Sequence, residues 1–176
     1  MAGNNNVPMR LTNFKVYNDS NDLLGIATVD LPEISAMTDT ISGAGIAGEL
    51  DTPVLGHYQS MTTTINWRTV EAQAAELAAP QAHTLDIRGS QEIYDAASGI
   101  YRKVGVRAYL KVIPKNFTLG SFEPGATTDS SIEFEVSYMK LSIDGKEVVE
   151  IDKLNFIARF NGEDQLAEVR KNLGMA

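Results

Sequence analysis

The chain of 176 residues has no cysteine, two histidines and one tryptophan. Without cysteine there is no disulfide scaffold, no thiolate-held zinc or iron–sulfur centre and no thiol nucleophile. No apolar run approaches the ~18 residues that a membrane helix needs, and the opening stretch MAGNNNVPMRLT has no hydrophobic signal core. A soluble cytosolic product, without a membrane partner, is therefore expected. Positive charge is scarce too: 15 Lys plus Arg stand against 23 Asp plus Glu, a formal charge of −8. That balance argues against a broad basic face built to grip nucleic acid. The 22% charged and 43% hydrophobic shares are those of a globular chain, and the length suits one domain over residues 1–176.

Period two dominates what is present. Between residues 100 and 112 the even positions are mostly apolar (Ile100, Val104, Val106, Ala108, Leu110, Val112), whereas the odd ones carry Tyr101, Lys103, Arg107, Tyr109 and Lys111. This is a long strand with one apolar and one basic–aromatic face. Residues 84–93 alternate as well, and the turn signal at residues 95–99 joins the two into an antiparallel hairpin. Ile132, Phe134 and Val136 alternate with Glu133 and Glu135, but the phase slips near Tyr138 and Met139, so a bulge or burial of both faces is expected. Asp144-Gly145 supplies a tight type I′ turn, with residues 147–158 as the returning strand. A third hairpin is read from residues 10–17 and 23–31 around a turn at 18–22, and residues 58–67, rich in Thr, form another strand.

Two helices are expected. Residues 70–79 are rich in Ala, Glu and Gln and stop before Pro80. At the end, Asn161 is placed as a cap for a helix carrying Leu166, Val169 and Leu173 at helical spacing, terminated by Gly174. Residues 32–56 and 114–129 read as long irregular loops. The charge is also uneven: residues 101–130 are net basic, and residues 1–100 and 131–150 are net acidic.

No motif carries catalytic chemistry. Gly43-Ala44-Gly45-Ile46-Ala47-Gly48 spells a dinucleotide fingerprint, but Pro53 forbids the helix that must follow it. The stretch 120–127 imitates a phosphate loop with Ala126 where its lysine belongs. His57 and His83 lack a second ligand at metal spacing, and the basic–aromatic face is more economically explained as meeting an acidic face than a nucleic-acid strand. No catalytic, cofactor or metal residue is assigned.

The stretch from Tyr138 to Gly174 carries a specific likeness. Asp144-Gly145-Lys146-Glu147, Ile151-Asp152, Asn155, Asn161-Gly162, Asp164, Leu166, Arg170 and Leu173-Gly174 resemble the end of the major tail tube protein of contractile-tailed phages. Upstream, the Gly-x-Gly loop, the Trp67 strand and the helix after it fall in a compatible order. The resemblance implies a mainly β, antiparallel sandwich or barrel-like tail tube fold with one internal and one C-terminal helix. It also implies hexameric rings, stacked into a tube that surrounds a tape measure protein, is wrapped by a sheath, meets baseplate and terminator proteins and conducts the genome. The place of action would be the virion tail, after assembly in the host cytoplasm.

Within that frame, Thr40, Gly43, Gly45, Gly48 and Asp51 are expected in a ring-stacking loop. Asp86, Glu92, Glu133 and Glu135 are expected on an acidic lumen wall that lets DNA slide past unbound. Lys103, Arg107 and Lys111 are expected on a basic face between subunits. The competing readings are the tube of a tailocin or type VI system and, from another class, a monomeric β-barrel binding protein or enzyme.

Overall fold

A computed structural model describes residues 6–19, 21–23 and 25–175. The elements run β1 (Asn6–Asn18), β2 (Asn21–Leu23), β3 (Ile26–Asp30), β4 (Ala36–Ile41), β5 (Leu50–Tyr58), β6 (Thr62–Trp67) and α1 (Ala72–Leu77). They continue with β7 (His83–Asp95), β8 (Ile100–Thr118), β9 (Ser131–Ile143), β10 (Lys146–Asp152), β11 (Ile157–Phe160), β12 (Glu163–Asp164) and α2 (Ala167–Asn172). The fold is mainly β and antiparallel, with two short helices, as expected.

Both long hairpins form. The β7–β8 pair runs unbroken from His83 opposite Val112 to Asp95 opposite Ile100. At its turn the Asp95 carboxylate accepts the Ala97 N–H (3.0 Å) and the Ser98 hydroxyl (2.7 Å). Asp144 (φ 53°) and Gly145 (φ 76°) make the β9–β10 turn with the positive φ values a type I′ turn requires. The phase slip in β9 is a bulge. Lys111 faces Tyr138 and Val112 faces Val136, so Ser137 has no opposite number. The extra residue restores parity, and Ile132, Phe134, Val136 and Met139 all reach the core.

The sheet forks at that bulge. On one side β8 and β9 extend into the long sheet, in the order β12-β11-β10-β9-β8-β7-β1-β2; on the other, β9 adds β6 and then β3. The core sits between these layers. Ile65, Trp67, Ile132 and Phe134 come from the branch; Val16, Leu85, Leu110 and Ile151 from the long sheet; and Ala74 and Leu77 from α1. Because the layers share a core, their outward faces point away from each other.

Several expectations need correction. The third hairpin closes only at its turn: β2 pairs with residues 16–18 of β1, and β3 leaves to pair with β6. Ser20 and Leu24, which that hairpin includes, lie outside the described residues. Residues 32–56 are not an irregular loop, because β4 and β5 pair into a separate two-stranded hairpin with the glycines at its tip. Both strands are exposed on nearly every residue, so no burial stripe marks them in the sequence. The returning strand after Gly145 splits into β10 and β11 around a turn in which Asp152 accepts the N–H groups of Leu154 and Asn155. Asn161 (φ 52°) caps no helix; it turns β11 into β12, and α2 begins only at Ala167. Helix α1 is likewise shorter than expected.

Candidate functional site

The outward face of the long sheet carries an organised polar surface. Because alternate residues of each strand point outward, cross-strand registers assemble rows. One row reads Tyr17, Asp86, Tyr109, Lys140, Glu150, Arg159 across six strands. The next reads Lys15, Arg88, Arg107, Ser142, Glu147.

Asp86 is the hub of these rows. It is buried, and its carboxylate accepts Nε and Nη2 of Arg88 (2.9 and 2.5 Å) and Nε and Nη2 of Arg107 (2.7 and 2.8 Å). Burial pushes its pKa up, but the hydrogen bonds from Arg107 and Arg88 outweigh that and hold it below the usual carboxylate value. The Arg88 guanidinium lies 4.7 Å from the Tyr17 ring centroid, a cation–π contact. Further along, the Tyr138 hydroxyl donates to Glu150 (2.7 Å), which also accepts Nη1 of Arg159 (2.6 Å). Burial and that bond to Glu150 push the Tyr138 phenol well above its ordinary pKa. Asp164 accepts Nη2 of Arg170 (2.6 Å) and the Leu166 N–H, tying α2 to the sheet's end.

The expected site residues fall into three groups. Of the acidic four, Asp86 and Glu92 belong to the outward face of the long sheet, with Glu92 3.5 Å from Arg10. Glu133 and Glu135 lie on the outward face of the branch, where Lys115 stands 3.1 Å from Glu133 and Lys153 3.3 Å from Glu135. Glu133 and Glu135 stand apart from Asp86 and Glu92, beyond the bulge of β9, and each of the four has a basic partner within the chain.

Of the basic three, Arg107 is spent on Asp86. Lys111 lies 5.4 Å over the Tyr138 ring, and Lys103 is exposed opposite Glu92. The ring-stacking candidates do share one element, since Thr40 donates to Asp51 (2.5 Å) across β4–β5 while Gly43, Gly45 and Gly48 occupy the tip. There is no Lys or Arg between Val16 and Trp67, whereas Asp19, Asp22, Asp30, Glu33, Asp39, Glu49 and Asp51 fall in that span. That span therefore carries seven acidic residues and neither Lys nor Arg.

Sequence reasoning put Leu166 on the apolar stripe of the C-terminal helix and missed its contact: it precedes α2 and is buried against Gly56 at the base of the hairpin, joining it to the C-terminal segment. A glycine at a strand end with φ 73° is a faint signal for such a close approach.

Residues 8–174 match the family described as phage tail tube protein FII. The chain belongs to that family. It is 28% identical to the tail tube protein of Escherichia phage P2 over 179 aligned positions, covering 96% of this chain and 99% of that one. It is 26% identical to the major tail tube protein of Serratia phage KSP20, over 90% and 91% of the two chains. Among solved structures, the sheath/tube terminator of an extracellular contractile injection system, PVC, in its extended state shares the fold at TM-score 0.54, with 14% identity over 77% of this chain and 97% of that one. A chain of the PVC sheath–tube complex in the extended state matches at TM-score 0.53, with 14% identity over 77% and 91%. Tail tube proteins are structural components of the virion tail and not enzymes.

Proposed function

We propose that copies of this chain join edge to edge into hexameric rings that stack into a tube and conduct the phage genome into the host. One observation carries the reading: the long sheet ends in open edges on both sides. Residues 7–14 of β1 pair with β7 on one side and with no described strand on the other. Residues 100–104 of β8 are open on the opposite side, where β9 has ended at Ile143. Exposed edges of that length invite aggregation unless another strand covers them. A head-to-tail pairing of one edge with the other closes into a ring when the rotation permits.

Closure through the long sheet turns its outward face to the channel. The channel wall is a mosaic of paired charges and not an acidic surface. DNA slides past because Arg88 and Arg107 are already held by Asp86, leaving few free cations for phosphates. The acidic β4–β5 hairpin is the ring-to-ring element. Residues 1–176 act as one tube-forming unit, assembled in the host cytoplasm around a tape measure protein, wrapped by sheath and bounded by baseplate and terminator proteins. The likeness to PVC chains favours a second reading, the same tube in a contractile injection system without a genome.

Electron microscopy of the purified protein tests the proposal. Rings or tubes are expected at high concentration, and persistent monomers would overturn it.

A further inference from the structure

Phe122 is the most exposed aromatic residue described, with 94% of its surface open, yet its loop is not loose. The Ser121 N–H donates to the Thr128 carbonyl (2.9 Å), Ala126 N–H to Glu123 (3.1 Å) and Thr128 N–H to Arg68 (2.9 Å). Gly120 (φ 81°) lies so near the returning limb of the loop that a Cβ there would stand 1.8 Å from the Thr128 oxygen. A braced loop presenting a bare phenyl ring has the form of an anchor, because ordering cost is met before binding and aromatic anchors dominate interface energies.

The same chain carries a matching socket. Beyond the core, the apolar face of β1, β7 and β8 meets β3 around an open groove of about 300 Å³. Leu11, Phe14, Val29 and Leu31 line it, with Gly89 and Val106 among the residues of its sheet side. Leu11 and Leu31 are half exposed on its walls. The chain cannot fill this groove with its own Phe122. Ala108, in the groove, and Thr118, at the base of the loop, are separated by roughly 30 Å of strand β8.

Charge agrees with shape. Residues 119–129 contain Glu123 and Asp129 and no basic residue. Arg102 has the same parity in β8 as Val104 and Val106, so it stands on the groove's side of the sheet.

We propose that Phe122 of one copy seats in the Leu11–Leu31 groove of a second copy, with the adjoining Glu123 beside that copy's Arg102. The socket lies midway along β8 and the plug beyond its end, so the two are separate patches, and in a ring the contact repeats head to tail from copy to copy. The proposal rests on the self-assembly reading and adds its specificity contact.

The test replaces Phe122 with the photo-reactive p-benzoylphenylalanine, which keeps the aromatic plug, and maps crosslinks after assembly by mass spectrometry. Crosslinks between copies onto the peptides holding Leu11, Leu31 or Gln91 are expected. Phe122→Ala and Leu11→Glu should each raise the concentration needed for assembly at least about tenfold. The melting temperature of unassembled Phe122→Ala should remain unchanged. Tubes of the p-benzoylphenylalanine chain whose crosslinks fall elsewhere, or a Phe122→Ala chain assembling at the wild-type concentration, would overturn this contact and leave the tube reading standing. A wild-type chain that never assembles would sink both.

Discussion

Replacing Asp86 by Ala tests whether the outward face is held by its ion network. The side chain is only 10% exposed and accepts four N–H bonds from two guanidiniums, each 54% exposed. A charge-assisted bond contributes about 1.5–3 kcal/mol when its partners are desolvated. Here both cations regain water once the carboxylate is gone, so most of the nominal sum must be discounted. A net loss of about 2–4 kcal/mol remains, part of it from repulsion between Arg88 and Arg107 left side by side.

In urea, with a slope of about 2 kcal/mol per molar, the midpoint should fall by about 1–2 M with the slope unchanged. The measurement belongs at a protein concentration too low for rings to form. The pH dependence adds a sign. Asp86 is held below its ordinary pKa, so its contribution is complete above the unfolded carboxylate value near 4 and is lost as pH falls through the folded value. The wild-type and variant curves should therefore converge below about pH 4. An unchanged midpoint at pH 7, or a gap that persists at low pH, would refute the argument.

Two further outcomes follow from packing. Leu166→Ala should cost about 2–4 kcal/mol, because Leu166 is 3% exposed against Gly56 while α2 has no buried residue of its own. Limited proteolysis should then cut within residues 167–172, and a wild-type digestion pattern would count against this anchor. Deleting Ser137 removes only the unpaired residue, so Val136 and Tyr138 stay opposite Val112 and Lys111, with Met139 inward and Tyr138 and Lys140 outward. That chain should keep a cooperative unfolding transition, and a non-cooperative circular dichroism melt would show that the bend at the bulge is itself required.

The coupling of Leu166 to Gly56 also bears on assembly. In the proposed tube, the hairpin carries the acidic, glycine-tipped end of the molecule, and its base rests on the segment leading into α2. That segment is tied to the sheet by Asp164 and Arg170, and Arg170 also donates to the Phe156 carbonyl (2.7 Å). Hydrogen bonds from Arg170 hold the Asp164 carboxyl below its usual range, so this brace too weakens only in acid. Hairpin direction is thus set from the opposite end of the chain.

The sequence by itself determined the strands whose two faces meet different surroundings. The alternation in residues 84–93 and 100–112, the Asp144-Gly145 turn and the slip at Tyr138 are local patterns, and a strand's side-chain period is local too. The family likeness in the C-terminal third was legible for a similar reason, since it lies in turn and network residues such as Asp144, Asp152, Asp164 and Arg170. Tertiary structure alone decided the rest. Strands β4 and β5 are exposed on both faces and therefore carry no burial signal, and β3 abandons its neighbour for β6 because the core beyond the fork needs a second layer. The charges were the least legible. The −8 is a property of the whole chain, but whether a carboxylate faces water or an arginine depends on strands brought together in space. Asp86 and Arg107, twenty-one residues apart, neutralise each other only because the β7–β8 hairpin sets them side by side.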